Sequence, residues 1–374
     1  MKNRELRLND ARFHNFPKRI SKKDYEVVIE DISKGFGSIA HSLYMWGSIS
    51  EPGISDLDIL VVLKDSIKSI PLKHKSIYFM DKNTRYIVVH PFIISNTHIA
   101  EKMPYIYPDG KFTKVYGEDL NFITPNANEL KNLRISLLND IIIRHLPRDF
   151  LHILNSGKVN VRDLLLRLKS LTYSIKLYNL ATGKEIKNSE KYKNSILDLR
   201  KNWFSLSQEE QEKRIVDLFN LGLNISLGIV YGFNGYLEKK KLADIDKKIN
   251  AVSYSGEKNK TNFTRNWKKS AISKQNGYVS LPLSLCAQLY CYGDENGVLS
   301  KFIDENLNPK KIKFNLKYKK SPEKRIKILN EQASLAEKYG HLHFPAFFDF
   351  GYRPEKGLLN RLAKIAYKSR KLIS

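Results

Sequence analysis

The stretch "MWGSISEPGISDLDILVVL", residues 45–63, places Gly47-Ser48 straight after an apolar run and sets Asp56 and Asp58 inside the next one. "DILVVL", 58–63, is short, β-branched and apolar, the composition of a buried strand. In a strand, residues two apart point to the same side, so Asp56 and Asp58 are expected on one face, with Leu57 and Ile59 on the other. Two carboxylates that close repel, and a core does not accept them unpaired. A divalent cation resolves the conflict. Mg²⁺ takes hard oxygen ligands, keeps several waters and draws its remaining ligands from substrate phosphates. Gly47 permits close backbone approach after the first strand, and Ser48 offers a hydroxyl and an N–H to a phosphate oxygen. Together these pieces describe a nucleoside triphosphate held by a metal and a turn.

Working outward, Val27, Val28 and Ile32 recur at helical spacing, and Gly35 and Gly37 are expected to end that helix before a strand at "LYMW". "SIYFM" (76–80) and "RYIVVHPFII" (85–94), joined by "DKNT", read as a hairpin or two sequential strands. One helix and three to four strands imply a compact α/β unit ending near residue 125.

These residues resemble the nucleotidyltransferase superfamily of the DNA polymerase β type, in which an apolar strand ends in Gly-Ser and a later strand carries Asp-x-Asp. Gly47-Ser48, seven residues, then Ser55-Asp56-Leu57-Asp58-Ile59-Leu60-Val61-Val62 carry the resemblance. Val115-Tyr116-Gly117-Glu118-Asp119-Leu120 is similar to the Tyr-Gly-x-Asp-Leu stretch of small-molecule members. The resemblance covers residues 24–125. It implies an α+β fold, with a polymerase β-like domain and mixed sheet followed by a mainly helical region. It further implies an enzyme in which Asp56 and Asp58 hold Mg²⁺, with Gly47, Ser48 and Ser55 at the nucleotide. An acceptor hydroxyl would attack the α-phosphorus and expel pyrophosphate.

Two departures stand out. "ISEPGIS" is short and contains Pro52 and Gly53, so a loop is expected where family members often start a helix facing phosphate. The family's third carboxylate should lie on the strand expected over 85–94, which has no Asp or Glu. His90 can replace it as a base, Asp81 can swing in from the hairpin tip, or a helix can supply Asp140. Otherwise the site is degenerate and only binds nucleotide.

Beyond residue 125, "ANELKNLRISLLNDIIIRHL", "VRDLLLRLKSLTYSIKLYNLATG" and "QEEQEKRIVDLFNLGLNISLGIVYGF" carry amphipathic helical spacing. Three regions follow: a nucleotidyltransferase domain at 1–125, a helical domain at 126–250, and a mixed C-terminal region at 251–374. Residues 253–277, polar and basic, read as a loop. The segment from Leu358 to Lys371 has the pattern of a basic amphipathic helix, suited to docking on its own domain or on an anionic membrane.

A formal charge of +25, from 64 Lys plus Arg against 39 Asp plus Glu, favours phosphate-rich partners, nucleic acid among them. Cys286 and Cys291 are too few for a disulfide framework and read as reduced thiols of a cytoplasmic protein. His341 and His343 lack a third ligand and read as structural. No uninterrupted apolar run reaches the ~18 residues of a membrane span, so no transmembrane segment is expected. The leading expectation is transfer of a nucleoside monophosphate to a hydroxyl on a small molecule or sugar. An RNA 3′ end as acceptor, an Asp-x-Asp glycosyltransferase and a nucleotide-binding scaffold are the rivals.

Overall fold

The computed structural model describes residues 8, 11–71, 80–89, 92–144, 150, 153, 158–240 and 316–339, with short strands at 243–244, 251–255, 260–264, 272–273, 278–282 and 313–314. An N-terminal mixed α+β region is followed by a largely helical one. The described residues of 18–130 and 324–339 form one compact unit, and those of 8–17 and 131–323 form another.

The second unit opens the chain. Its first strand, β1 (Arg12–His14), pairs in parallel with a strand far downstream. The first unit starts with α1 (Lys22–Phe36), where Ser21 and Asp24 form a reciprocal capping box. Its buried stripe is Tyr25, Val28, Ile32 and Phe36, while Val27 is exposed. Strand β2 (Ala40–Trp46) then pairs antiparallel with β3 (Asp58–Leu63).

The expected hairpin over 76–94 is replaced by something else. Residues 72–79 lie outside the described part, and "KNTRYI" forms α2 (Lys82–Ile87) rather than a strand. Asp81 is its N-cap, accepting the N–H groups of Asn83 and Thr84, and this local bonding outweighs the β-preference of Tyr86 and Ile87. Hydrogen bonds from the Thr84 side chain and backbone hold the Asp81 carboxyl below its usual range. A depressed folded-state value means that the stabilisation is complete above the unfolded pKa and is lost as pH falls through the folded one. Asp81→Ala is therefore expected to cost about 1 kcal/mol near neutrality. Urea unfolding should show the gap to wild type closing below roughly pH 4.

Strand β4 (Ile93–Asn96) lies parallel to β3, and its last residue, Asn96, caps α3 (Thr97–Ala100). After α4 (Met103–Ile106), β5 (Phe112–Gly117) returns antiparallel to β2, completing the order β4-β3-β2-β5. Ile59, Val61, Leu63, Leu43 and Ile94 join Tyr25, Val28, Ile32, Phe36 and Ile87 in one buried core. By alternation Leu60, Val62 and Tyr44 occupy the other face and are equally buried. There a chain of rings runs from Tyr44 through Phe122, Phe112 and Trp46 to Tyr107, with successive centroids 4.1–6.2 Å apart.

Helix α5 (Ala127–Arg144) leads out of this unit, and β6 (Lys158–Asn160) is the partner of β1. The helical part is built on α6 (Val161–Thr182), α7 (Ser189–Asn202) and α8 (Gln208–Lys240). Arg200 is buried and donates to the Leu165 carbonyl at 3.2 Å; Tyr192 donates to Leu168 at 2.6 Å, and burial pushes its phenol up. Within α8, residues 208–237 are long and apolar enough to cross a membrane by length and composition, with half of the most apolar window buried. Its exposed positions include Lys213, Asp217, Asn220 and Asn224 but also Tyr231, while Ile215, Leu218, Phe219, Leu223, Ile225 and Ile229 are buried.

The loop expected at 253–277 is corrected: Ala251–Ser255, Lys260–Thr264, Ile272–Ser273 and Tyr278–Pro282 form a four-stranded antiparallel sheet. The ladder brings together apolar residues that are scattered singly in the sequence, pairing Leu281 with Val252, Val252 with Phe263 and Ile272 with Val279.

Finally α9 (Leu316–Lys338) carries its second half into the first unit. There buried Arg325 donates to the Ile106 carbonyl at 3.0 Å and Gln332 to Ile94 at 3.4 Å. Tyr339, just past the helix, donates to Ile67 at 3.0 Å. The sheet is thus covered by a helix some two hundred residues downstream of it.

Candidate functional site

The β2–β3 register pairs Met45 with Ile59 and Trp46 with Asp58. Gly47-Ser48 and Asp56-x-Asp58 therefore meet at the same end of the sheet. Directly opposed residues share a face, so Asp58 stands beside the Trp46 side chain, whose ring lies on Tyr107 with centroids 4.1 Å apart.

Asp56 does not sit in the strand as expected. The ladder stops at Trp46↔Asp58 because Gly47 turns away with φ +90 and gives its N–H to the Lys111 carbonyl at 3.1 Å. Leu57 is buried, and its N–H goes to Ile87 rather than to β2. Asp56 thus lies two residues ahead of the strand, in the loop, and both carboxylates are half-buried on either side of an anchored leucine.

Residues 49–57 form a loop with a turn at 52–54. Two tyrosines staple it: Tyr25 accepts from the Gly53 N–H and donates to the Ser55 carbonyl at 2.6 Å, and Tyr86 donates to the Gly53 carbonyl at 2.8 Å. Ser55 is buried, and its hydroxyl accepts the Glu51 N–H at 3.1 Å, so this hydroxyl shapes the loop. Ser48 is exposed, and a Cβ built on Gly47 would meet nothing within 4 Å. That side of Gly47 is open to a ligand's close approach.

Comparison of the chain with protein-family models, with curated proteins and with solved structures finds no match. The site is therefore read from its own geometry.

Among the described residues no group of three or more His, Cys, Asp or Glu is placed to hold a metal. Asp56 and Asp58 supply two carboxylates, the number that suits Mg²⁺ completed by waters and phosphates. The candidates for a third carboxylate resolve unequally. His90 lies outside the described residues, as do Cys286, Cys291, His341, His343 and the terminal segment from Leu358 to Lys371. Asp81 is spent on capping α2. Asp140 belongs to α5, in the other unit. The strand beside β3 reads Ile93-Ile94-Ser95-Asn96 and has no acid.

The Tyr116 stretch sits elsewhere. Tyr116 pairs with Leu43, four residues back along β2 from Gly47, or ~13 Å at strand spacing. Its hydroxyl donates to the Gly37 carbonyl at 3.2 Å. Glu118 pairs with His41 at 3.4 Å and Asp119 with Lys114 at 2.7 Å, while Tyr44 accepts the Leu120 N–H at 2.8 Å. This stretch fastens β5 to β2 at the far end of the sheet. The residues beside the site that the sequence reading passed over are Trp46, Tyr107 and Lys111. The "YPDGK" turn signal at 107–111 is the feature that could have found them.

Proposed function

We propose that the chain is a Mg²⁺-dependent nucleotidyltransferase, built on a polymerase β-like domain, that moves a nucleoside monophosphate onto a hydroxyl of a small molecule or sugar. One observation carries this reading: the Trp46↔Asp58 pair sets Gly47-Ser48 and Asp56-x-Asp58 at one end of a mixed sheet. Asp56 and Asp58 would hold Mg²⁺, which when bound neutralises charge on the phosphates. Gly47 leaves room at the strand end for the triphosphate, and Ser48 donates its hydroxyl to a phosphate oxygen. The stapled loop fixes where the two carboxylates stand before any ligand arrives, and such preorganisation is what favours in-line attack.

A second reading, a nucleotide-binding scaffold without turnover, draws on the acid-free β4. Thermal melts with each of the four NTPs, with and without Mg²⁺, followed by a pyrophosphate-release assay, separate the two. An NTP at ~100 times its Kd should add about 2.7 kcal/mol, a rise of a few degrees, only when Mg²⁺ is present. Binding without pyrophosphate release across an acceptor screen would favour the scaffold. No shift with any NTP would sink both.

A further inference from the structure

Much of the backbone at this site is already committed to hydrogen bonds within the fold. Glu51 gives its N–H to the Ser55 hydroxyl, Gly53 to Tyr25, Ile54 and Ser55 to the Glu51 carbonyl, Leu57 to Ile87 and Gly47 to Lys111. No helix starts between Ser48 and Asp58, so no helix N-terminus faces the phosphates there. Glu51, Asp56 and Asp58 also make this edge acidic. A triphosphate with four charges needs a cation from the protein as well as from the metal.

Lys111 stands where that cation is needed. Its carbonyl accepts the Gly47 N–H, which fixes its backbone directly across from the strand end. It is exposed, and among the described residues its ammonium makes no ion pair. Lys114, the next cation along β5, is committed to Asp119 at 2.7 Å. The four-carbon stem of Lys111 lets its ammonium reach over the open side of Gly47 toward Ser48. Resting on the nucleotide reading above, we infer that Lys111 grips the outer phosphates of the NTP together with Ser48, taking the place of a helix N-terminus. The site thereby selects triphosphates over monophosphates through a side chain from the β5 edge.

The test compares wild type, Lys111→Ala and Lys111→Arg for affinity toward the best-stabilising of the four NTPs and its monophosphate, both with Mg²⁺, by calorimetry. Lys111→Ala should weaken NTP binding by about tenfold or more, the scale of one charge-assisted hydrogen bond, and leave the monophosphate unchanged. Lys111→Arg should stay within about threefold of wild type, since the charge is kept. The contact that holds β2 uses the Lys111 carbonyl, so the alanine variant should melt as wild type does. Equal NTP affinity in Lys111→Ala, or equal losses for NTP and monophosphate, overturns the assignment while the nucleotide site stands. If wild type binds no NTP, the site reading and this inference fall together.

Discussion

Asp58→Asn should lower NTP-dependent turnover by about a thousandfold, because charge stabilisation by a metal shared between carboxylate and phosphate amounts to several kcal/mol. The substitution is isosteric, and Asp58 begins β3 through backbone hydrogen bonds that asparagine makes equally well. The variant should therefore unfold cooperatively, as wild type does, while losing the Mg²⁺-dependent part of the NTP-induced shift. Asp56→Asn should act in the same direction. Its residue precedes the ladder, in a loop pinned by Tyr25, Tyr86 and the Leu57 N–H, so its position does not depend on the sheet alone. Turnover by Asp58→Asn within a few-fold of wild type would end the nucleotidyltransferase reading. Loss of turnover with a collapsed melt would show only that the fold had failed, and the Mg²⁺-dependent shift separates these cases.

How far this site could be read from the sequence depends on which residues carry local signals. "DILVVL" forms a strand over the same residues that its β-branched run marks, and α1 ends at Phe36, just before Gly37. Both rest on dense apolar patterning, which short-range physics rewards. The strand at 112–117 gave no such signal. It is an edge strand with a mostly exposed, polar-rich sequence, and it is held by its ladder to β2 and by Tyr44. Helix α2 was hidden behind its β-forming residues, although the cap at Asp81 was there to be read. The return of α9 left no local trace at all. Arg325 and Gln332 reach backbone carbonyls of Ile106 and Ile94 across a sequence separation that periodicity does not register. At the site itself, the pair of carboxylates was legible because two acids interrupt an apolar run. Lys111 was not, because its place beside Gly47 is set by β-pairing.

Gly117→Ala is expected to cost roughly 3 kcal/mol or more, a larger loss of stability than any alanine at the more conspicuous Gly47. Both glycines have positive φ, +79 and +90, so an alanine at either is strained by about 1–3 kcal/mol. Their surroundings differ. A Cβ on Gly117 would run into the His41 carbonyl oxygen and would lie 2.8 Å from the Ser42 Cα, whereas one on Gly47 meets nothing within 4 Å. Backbone atoms cannot move aside by changing rotamer, so β5 would have to lift from β2. That would strain the Ser42↔Gly117 and Leu43↔Tyr116 pairs and the Tyr44 bond to Leu120, at the end of the ladder away from Gly47. Urea unfolding of Gly117→Ala should show a large drop in midpoint, and Gly47→Ala a smaller one. In ligand binding the order should reverse. Gly47→Ala fills the space where the triphosphate approaches and should weaken NTP affinity beyond its effect on stability, while Gly117→Ala, assayed well below its unfolding midpoint and strained at the far end of the ladder, should lose less affinity than Gly47→Ala does. If Gly117→Ala unfolds within about 0.5 kcal/mol of wild type, the close packing of β5 against His41 is wrong. The placement of Lys111 across from Gly47, which depends on the same strand pairing, would then have to be withdrawn with it.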